Sequence, residues 1–178
     1  ASYASLKLST FTLCGTQATT NLKSGDKSAN ARRTTLDYLA VGLPLGKFGV
    51  GFGLIPYSSV GYKIRTLGSL TENNQSFNGT GGMNKAFLGV GYKITSALSI
   101  GADVNYNFGK IETNNFEYIT DIAIGTRELN NVDLSGVNFN IGLMYQTKID
   151  KKLTFFSSLN YSLESDLKAK NTRNIATA

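Results

Sequence analysis

The sequence contains no histidine and no tryptophan, and it has only one cysteine and two prolines. The absence of His excludes Ser-His-Asp triads, imidazole acid–base catalysis and zinc sites of the usual kind. Cys14 alone can form neither an intrachain disulfide nor a thiolate metal cluster. The carboxylates Asp103, Glu112 and Glu164 lack the spacing of a catalytic pair. We therefore predict that the protein is not an enzyme and holds neither a metal nor a cofactor.

Charged residues are also scarce, at 17% of the chain, where about 25% is typical. The net charge is +6, and eleven of the 18 basic residues fall in polar segments 23–33 and 168–173 and beside tight turns. No basic helix or RNA-binding aromatic motif accompanies them. The sequence therefore predicts solvated loops, with contact to anionic lipid head groups as the alternative, and no nucleic-acid partner.

Long apolar runs are missing too. The mean hydropathy is -0.12, and no stretch approaches the roughly 18 apolar residues of a membrane helix. What the sequence does have is strict alternation of apolar and polar residues, most clearly from Leu98 to Phe108. A strand of that length, tilted by about 40°, covers about 25 Å, the height of the lipid-facing band of a membrane barrel. The alternation therefore indicates strands that could cross a membrane.

Seven segments share this alternation and are the predicted strands, the first of them weak: residues 3–13, 39–45, 48–54, 86–94, 98–108, 137–145 and 153–163. The connections between them alternate in length. Those near Gly46, Ser96 and Asp150–Lys152 are tight, whereas residues 15–34, 66–82 and 112–132 form long polar connections. Short turns on one side and long loops on the other are typical of outer-membrane barrels. The predicted fold class is an all-β, antiparallel transmembrane β-barrel.

A soluble lipid-binding barrel would show the same alternation, so the polar phase has to distinguish the two. In the last three strands this phase is rich in Gly, Asn, Ser and Thr, and its only charged residues are Asp103 and Glu164. That composition suits a confined polar interior better than a water-exposed face. Aromatic residues also lie toward the ends of the apolar phase, as interfacial girdles require. We therefore favour the membrane barrel and keep the soluble barrel as an alternative.

Seven strands cannot close an antiparallel barrel, because the first and last strands run in the same direction and open edges are not tolerated in lipid. The polar tail 171–178 offers no final aromatic strand. We therefore predict that residues 1–178 form one partial barrel domain of a larger polypeptide.

Three segments, Phe48–Tyr62, Asn84–Ile94 and Leu98–Tyr106, resemble the FadL/TodX family, in particular its members from Bacteroidetes-type bacteria. These are outer-membrane transporters of long-chain fatty acids and other hydrophobic compounds. The resemblance implies a fourteen-stranded barrel plugged by an N-terminal hatch, of which this chain would hold about the first half and no hatch. It also implies the outer membrane of a Gram-negative bacterium and a hydrophobic small-molecule substrate.

The resemblance further implies a lateral opening where the third strand kinks inward. That strand carries Pro56, which supplies no ladder hydrogen bond, followed by Tyr57, Ser58 and Ser59, whose side chains can satisfy the freed backbone groups. We place the predicted opening at these four residues. An ordinary edge bulge or strand end is the alternative.

Three apolar residues interrupt the polar phase and are the candidates for a substrate path: Phe87, Met144 and Phe156. A hydrophobic solute needs apolar contacts in an otherwise polar lumen. Packing against a hatch would explain the same residues.

The sequence therefore predicts transport of a hydrophobic solute through a plugged barrel with a lateral opening. Because segment 66–82 is short and polar compared with the family, an accessory or structural barrel within a larger outer-membrane assembly is the first alternative. The soluble lipid-binding barrel is the second. Expected partners are outer-membrane lipids, including lipopolysaccharide, the hydrophobic solute, and other outer-membrane proteins in the case of a complex.

Overall fold

The computed structural model describes residues 1–24, 27–66, 73–119, 125–150 and 153–177. The elements in chain order are a short 3-10 helix, Ser2–Ser5, and eight strands: β1 Thr10–Ser24, β2 Lys27–Leu45, β3 Phe48–Thr66, β4 Asn73–Lys93, β5 Leu98–Ile119, β6 Thr126–Asp150, β7 Leu153–Ser162 and β8 Leu167–Thr177. Within those ranges no helix is long and apolar enough to cross a membrane.

All eight strands belong to one antiparallel sheet. Its order is β1-β2-β3-β4-β5-β6-β7, and β8 also pairs with β6. β7 pairs with β6 from Asp150 back to Asn140, and β8 pairs with the preceding stretch of β6, from Gly136 back to Thr126. The sheet is open, with β1 at one edge and β7 and β8 at the other. This architecture confirms the predicted all-β class and is consistent with a partial barrel.

The chain divides into two compact units, each assembled from three segments. The first unit contains residues Ala1–Pro56, Ala86–Asn105 and Phe139–Leu163. The second unit contains residues Tyr57–Lys85, Tyr106–Asn138 and Glu164–Ala178.

The first unit holds two of the predicted tight turns. Gly46 and Lys47 connect the paired residues Leu45 and Phe48, and Gly46 has a φ of 68°, the sign that a type II′ hairpin turn requires at this position. In the β4–β5 turn the Thr95 hydroxyl accepts hydrogen bonds from the backbone N–H groups of Ala97 at 3.2 Å and Leu98 at 3.0 Å. The predicted turn at residues 150–152 falls partly outside the described residues.

The two faces of the first unit differ in polarity in the direction that the sequence predicts. The apolar phase is open to the surroundings: Ile100 is 44% exposed, Phe139 51% and Leu159 68%. On the opposite phase, Ser99 and Asn105 are only 3% and 5% exposed. The apolar side chains therefore do not converge on a dry centre, and the polar phase, which we call the inner face, is the covered one.

The lengths of the strands differ from the prediction. The polar segments predicted as long loops consist mostly of strand: β1 and β2 meet at Ser24 and Lys27, β5 continues to Ile119, and β6 begins at Thr126. A membrane barrel needs only about 9–11 residues per strand, whereas β6 has 25. The extensions carry polar and β-branched residues, which form strands without apolar alternation. The remaining parts of two predicted loops, residues 67–72 and 120–124, lie outside the described residues.

Two further features differ from the seven predicted strands. An eighth strand, β8, contains most of the polar tail 171–178 and no aromatic residue, and its Lys170 lies opposite Asp133, a pair of opposite charges that stabilises a sheet. The eighth strand therefore escaped a search based on apolar alternation. At the other end, the weak strand predicted over residues 3–13 begins only at Thr10, because Ser2–Ser5 form the 3-10 helix.

Candidate functional site

Residues Ala1–Leu6 lie on the inner face of the first unit, above a row of glycines. We call Gly42, Gly49, Gly51, Gly89, Gly91 and Gly101 the glycine floor, because a Cβ at any of these positions would overlap an atom of residues 1–6. The glycines of the floor belong to four strands, β2 to β5. Ala4, which these contacts cover, is 5% exposed and is the only buried apolar residue in the described part of the chain.

Tyr3 is the centre of this packing. A Cβ at Gly51 would lie 2.7 Å from Cδ1 and 2.9 Å from Cζ of the Tyr3 ring, and a Cβ at Gly89 would lie 3.1 Å from Cζ. The ring therefore rests directly on the backbone of β3 and β4. Burial, and to a lesser extent the negative charge of Asp103, raises the pKa of the Tyr3 phenol above its ordinary value, so the group stays neutral under physiological conditions.

A polar cluster lies beside Tyr3 on the same face. One carboxylate oxygen of Asp103 accepts hydrogen bonds from the side-chain amides of Asn105 at 2.6 Å and Asn140 at 2.7 Å. The Cβ of Asp103 would lie 3.2 Å from a Cβ placed at Gly89, which ties this cluster to the glycine floor. Asn105 is buried, and its position depends on the Asp103 acceptor.

The amide oxygen of Asn140 is buried and has no hydrogen-bond partner. A buried acceptor without a donor costs about 1–3 kcal/mol of folding free energy, so the burial of this oxygen lowers the stability of the folded protein. The amide nitrogen of Asn140 joins β6 to Asp103 on β5, and this one bond fixes the orientation of the side chain.

The second unit is organised by charge and by close backbone contact. Its polar contacts include the ion pairs Lys110–Glu112 at 2.5 Å and Arg173–Glu128 at 2.6 Å, and the hydrogen bonds Gln75–Glu117 at 3.2 Å, Arg127–Asn114 at 3.1 Å and Asn107–Asn138 at 2.8 Å. A Cβ at Gly81 of β4 would overlap the backbone of Lys110 in β5, and the φ of 128° at this position favours glycine.

The residues predicted to form a lateral opening lie where the ladder between β2 and β3 ends. Its last pair is Leu39–Leu54, and the half-buried Pro56 follows two residues later. In the second unit, Tyr57 is exposed and lies beneath the ammonium group of Lys85, 4.8 Å from the ring centre. Ser58 and Ser59 are exposed, and the Ser58 carbonyl oxygen lies close to Gly82 of β4. The lateral opening at these residues stays a prediction.

The three residues predicted to line a substrate path lie in two different places. The Phe87 ring covers Gly53, where a Cβ would lie 2.7 Å from Cε1 of the ring. Met144 and Phe156 lie instead along the β6–β7 ladder, where Met144 is half-buried opposite Ser158 and Phe156 is exposed opposite Gln146. Their role along a substrate path also stays a prediction. No group of three or more His, Cys, Asp or Glu residues that could hold a metal occurs in the described part of the chain.

Comparison with known protein families gives a match to BamG, and the match extends over residues 1–178. The chain belongs to the BamG family. This family is named for a component of BAM, the outer-membrane protein assembly complex, and it places the chain in the outer membrane of a Gram-negative bacterium, as predicted. Neither the curated proteins nor the solved structures gave a match.

The BamG match corrects the resemblance to FadL/TodX transporters and, with it, the prediction of fatty-acid transport. The resemblance depended on glycine-rich strand segments such as Phe48–Tyr62. Gly49 and Gly51 of that segment belong to the glycine floor and are explained by the packing of Tyr3, without any reference to a solute. The prediction that fits the BamG family is the accessory subunit, which the sequence analysis gave as the first alternative.

Sequence reasoning missed the glycine floor as a site. The alternate glycines at 49, 51 and 53 belong to one strand, and the pattern within one strand does not show what lies on it. The signal that could have revealed the floor is its repetition at Gly89, Gly91 and Gly101 in the next two strands.

Proposed function

We propose that this BamG-family chain is an accessory, structural barrel subunit of an outer-membrane protein assembly complex. The observation that carries this proposal is the family match over residues 1–178, because the family is named for a component of such a complex. The wider expectation that other outer-membrane proteins are its partners agrees with that name.

The inner face of the first unit supports a structural role. Residues Ala1–Leu6 pack on glycines of four strands, and the Asp103 carboxylate holds the amides of Asn105 and Asn140. Side chains fixed in this way resist rearrangement, because moving Asp103 would leave the buried amide of Asn105 and the half-buried amide of Asn140 without an acceptor. A scaffold benefits from such rigidity, whereas a conduit needs a face along which a solute can move.

The outer face of the first unit supports a position within the bilayer. Leu143, Phe155 and Tyr161 are exposed on this face, together with Ile100 and Leu159. Exposed apolar side chains at this density are stable against acyl chains or against the apolar face of a neighbouring barrel. The proposal therefore includes contact with outer-membrane lipids, lipopolysaccharide among them.

The test is to tag the full-length protein in its native bacterium and to purify it from outer membranes solubilised in mild detergent. We expect other components of the assembly complex to co-purify with it. In the same strain background, deletion of the gene is expected to reduce the amount of folded outer-membrane barrels while uptake of labelled oleate stays unchanged. A tagged protein that purifies alone, in a strain whose deletion lowers oleate uptake, would refute the structural role.

A further inference from the structure

A lysine-lined pocket lies at the short-turn end of the first unit, apart from the glycine floor and the Asp103 cluster. It encloses about 490 Å³ and is lined by Ser5, Lys7, Lys93, Ser96, Gln146 and Lys148, with Ala97 and Thr147 completing the wall. The lining contains three ammonium groups, three hydroxyls and one side-chain amide, and it contains no carboxylate.

Within the described residues, none of the three lysines forms an ion pair. The ion pairs Lys110–Glu112 and Arg173–Glu128 lie in the second unit. Lysine side chains commonly extend from a surface into water, but here three of them border one concave space. Their mutual repulsion is relieved when an anionic group enters that space.

The pocket opens on the inner phase of the sheet. Lys93 continues the phase of Gly89 and Gly91 along β4, and Lys148 continues the phase of Gly142 along β6. Lipid head groups meet the opposite phase, where the apolar side chains are exposed. Because a bilayer lipid would have to leave that face to reach the lysines, the inner position favours a ligand that arrives from the aqueous side.

The pocket also lies on a defined side of the membrane. Ser96 and Ala97 belong to the tight connection between β4 and β5, and in outer-membrane barrels short turns face the periplasm. An anionic ligand for this pocket therefore comes from the periplasm. Hydroxyl and amide groups next to the ammonium groups suit carboxylates, which accept hydrogen bonds from both kinds of donor.

We propose that this pocket binds an acidic polypeptide segment, rich in Asp and Glu, of a periplasmic partner. The inference rests on the proposed function, because it assigns a docking contact to a subunit of an assembly complex. Lys93 and Lys148 supply charges from the barrel wall, and Ser5 and Lys7 supply donors from the segment next to the glycine floor. Residues 1–6 thus position one wall of the docking pocket.

The test uses the full-length protein folded in detergent micelles and a fluorescent 12-residue peptide of alternating Glu and Gly, measured by anisotropy at low salt. The double substitution Lys93→Gln and Lys148→Gln is expected to weaken binding by about tenfold or more, because it removes two charge-assisted hydrogen bonds to the carboxylates of the peptide. The matched control is Lys168→Gln with Lys170→Gln in β8, which removes the same charge from the second unit and is expected to leave binding unchanged.

Three outcomes would refute the assignment of this pocket to an acidic peptide. The first is that both double variants weaken peptide binding equally, and the second is that a Gln-Gly peptide binds as tightly as the Glu-Gly peptide. The third is that phosphatidylglycerol micelles displace the Glu peptide from the parent protein but not from the pocket variant. The first two would show non-specific attraction, and the third would assign the pocket to lipid. Unchanged melting temperatures ensure that both variants are folded.

The peptide result and the co-purification result are independent. If the wild-type protein co-purifies with the assembly complex but the peptide does not bind, the structural role stands and the pocket assignment is wrong. If the peptide binds selectively and the complex does not co-purify, the proposed function fails and the pocket remains an acidic-peptide site.

Discussion

The two compact units of the chain are stabilised by different kinds of contact. In the first unit a segment without regular strand structure packs through Tyr3 on the glycine floor, and one carboxylate organises buried amides. In the second unit ion pairs such as Arg173–Glu128 join exposed strands at the sheet edge. The first kind of contact depends on shape and is intolerant of added atoms, whereas the second depends on charge and is weakened by salt. Substitutions should therefore have very different consequences in the two units.

The largest effect is expected on the outer face of the first unit. Ile141→Arg places a charge on an apolar phase, which costs about 2–4 kcal/mol near the bilayer midplane of a membrane barrel. Ile149→Arg, beside the end of β6 and within the register shift between Lys148 and Asp150, is the control and should cost about 0–1 kcal/mol. Denaturant unfolding in lipid vesicles measures both. Equal costs at the two positions would argue against a lipid-facing phase.

Breaking the glycine floor should have the next largest effect. Gly51→Leu would overlap the Tyr3 ring, and overpacking of this kind costs about 1–3 kcal/mol. It should also release residues 1–6, which limited proteolysis at Lys7 would detect. Gly61→Leu is the control, because a Cβ at Gly61 meets no atom within 4 Å. If Gly51→Leu leaves residues 1–6 protected, the floor does not hold them.

Removing the acceptor of the polar cluster should cost about as much as one or two unmade hydrogen bonds. Asp103→Ala leaves the amides of Asn105 and Asn140 unpaired, at about 1–3 kcal/mol in total. Glu164→Ala, at an exposed position between β7 and β8, is the control and should be neutral. The measurement is again the free energy of unfolding. A neutral Asp103→Ala would mean that the cluster contributes nothing to the rigidity of the inner face.

The smallest effect is expected in the second unit. Arg173→Ala removes an ion pair whose arginine is largely exposed, and such pairs contribute about 0.2–1 kcal/mol. The loss should vanish at 1 M salt, where the screening length falls to about 3 Å. Lys168→Ala, opposite Ser135 in the same ladder, is the control. A loss of stability that persists in high salt would mean that Arg173 stabilises this edge by packing and not by charge.

The sequence predicted those strands in which a bilayer requires apolar and polar residues to alternate. Alternation located β5, the later half of β6 and β7, because side chains there have to satisfy lipid on one face and polar surroundings on the other. It could not locate β8 or the long extensions of the strands. Those residues are held by cross-strand partners such as Asp133 opposite Lys170, and such partners become visible only when the register is known.

The candidate site was less accessible to sequence reasoning. The glycine floor combines residues from four strands, so its function depends on which glycines become neighbours across the sheet. Residues 3–6 of the segment that covers it were predicted as the start of a weak strand over residues 3–13. Glycine- and aromatic-rich strands also suggested the wrong barrel family, since packing inside a barrel requires the same residue types whether or not the barrel carries a solute.

The glycine floor has a consequence for the order of folding. Tyr3 contacts Gly51 and Gly89, which lie far along the chain, and contacts of long sequence separation form late because closing a long loop is entropically costly. The segment around Tyr3 can reach its place only after β3 and β4 have paired. A fluorophore near Tyr3 would then report a folding step that follows the pairing of β3 and β4, although Tyr3 precedes both strands in the chain.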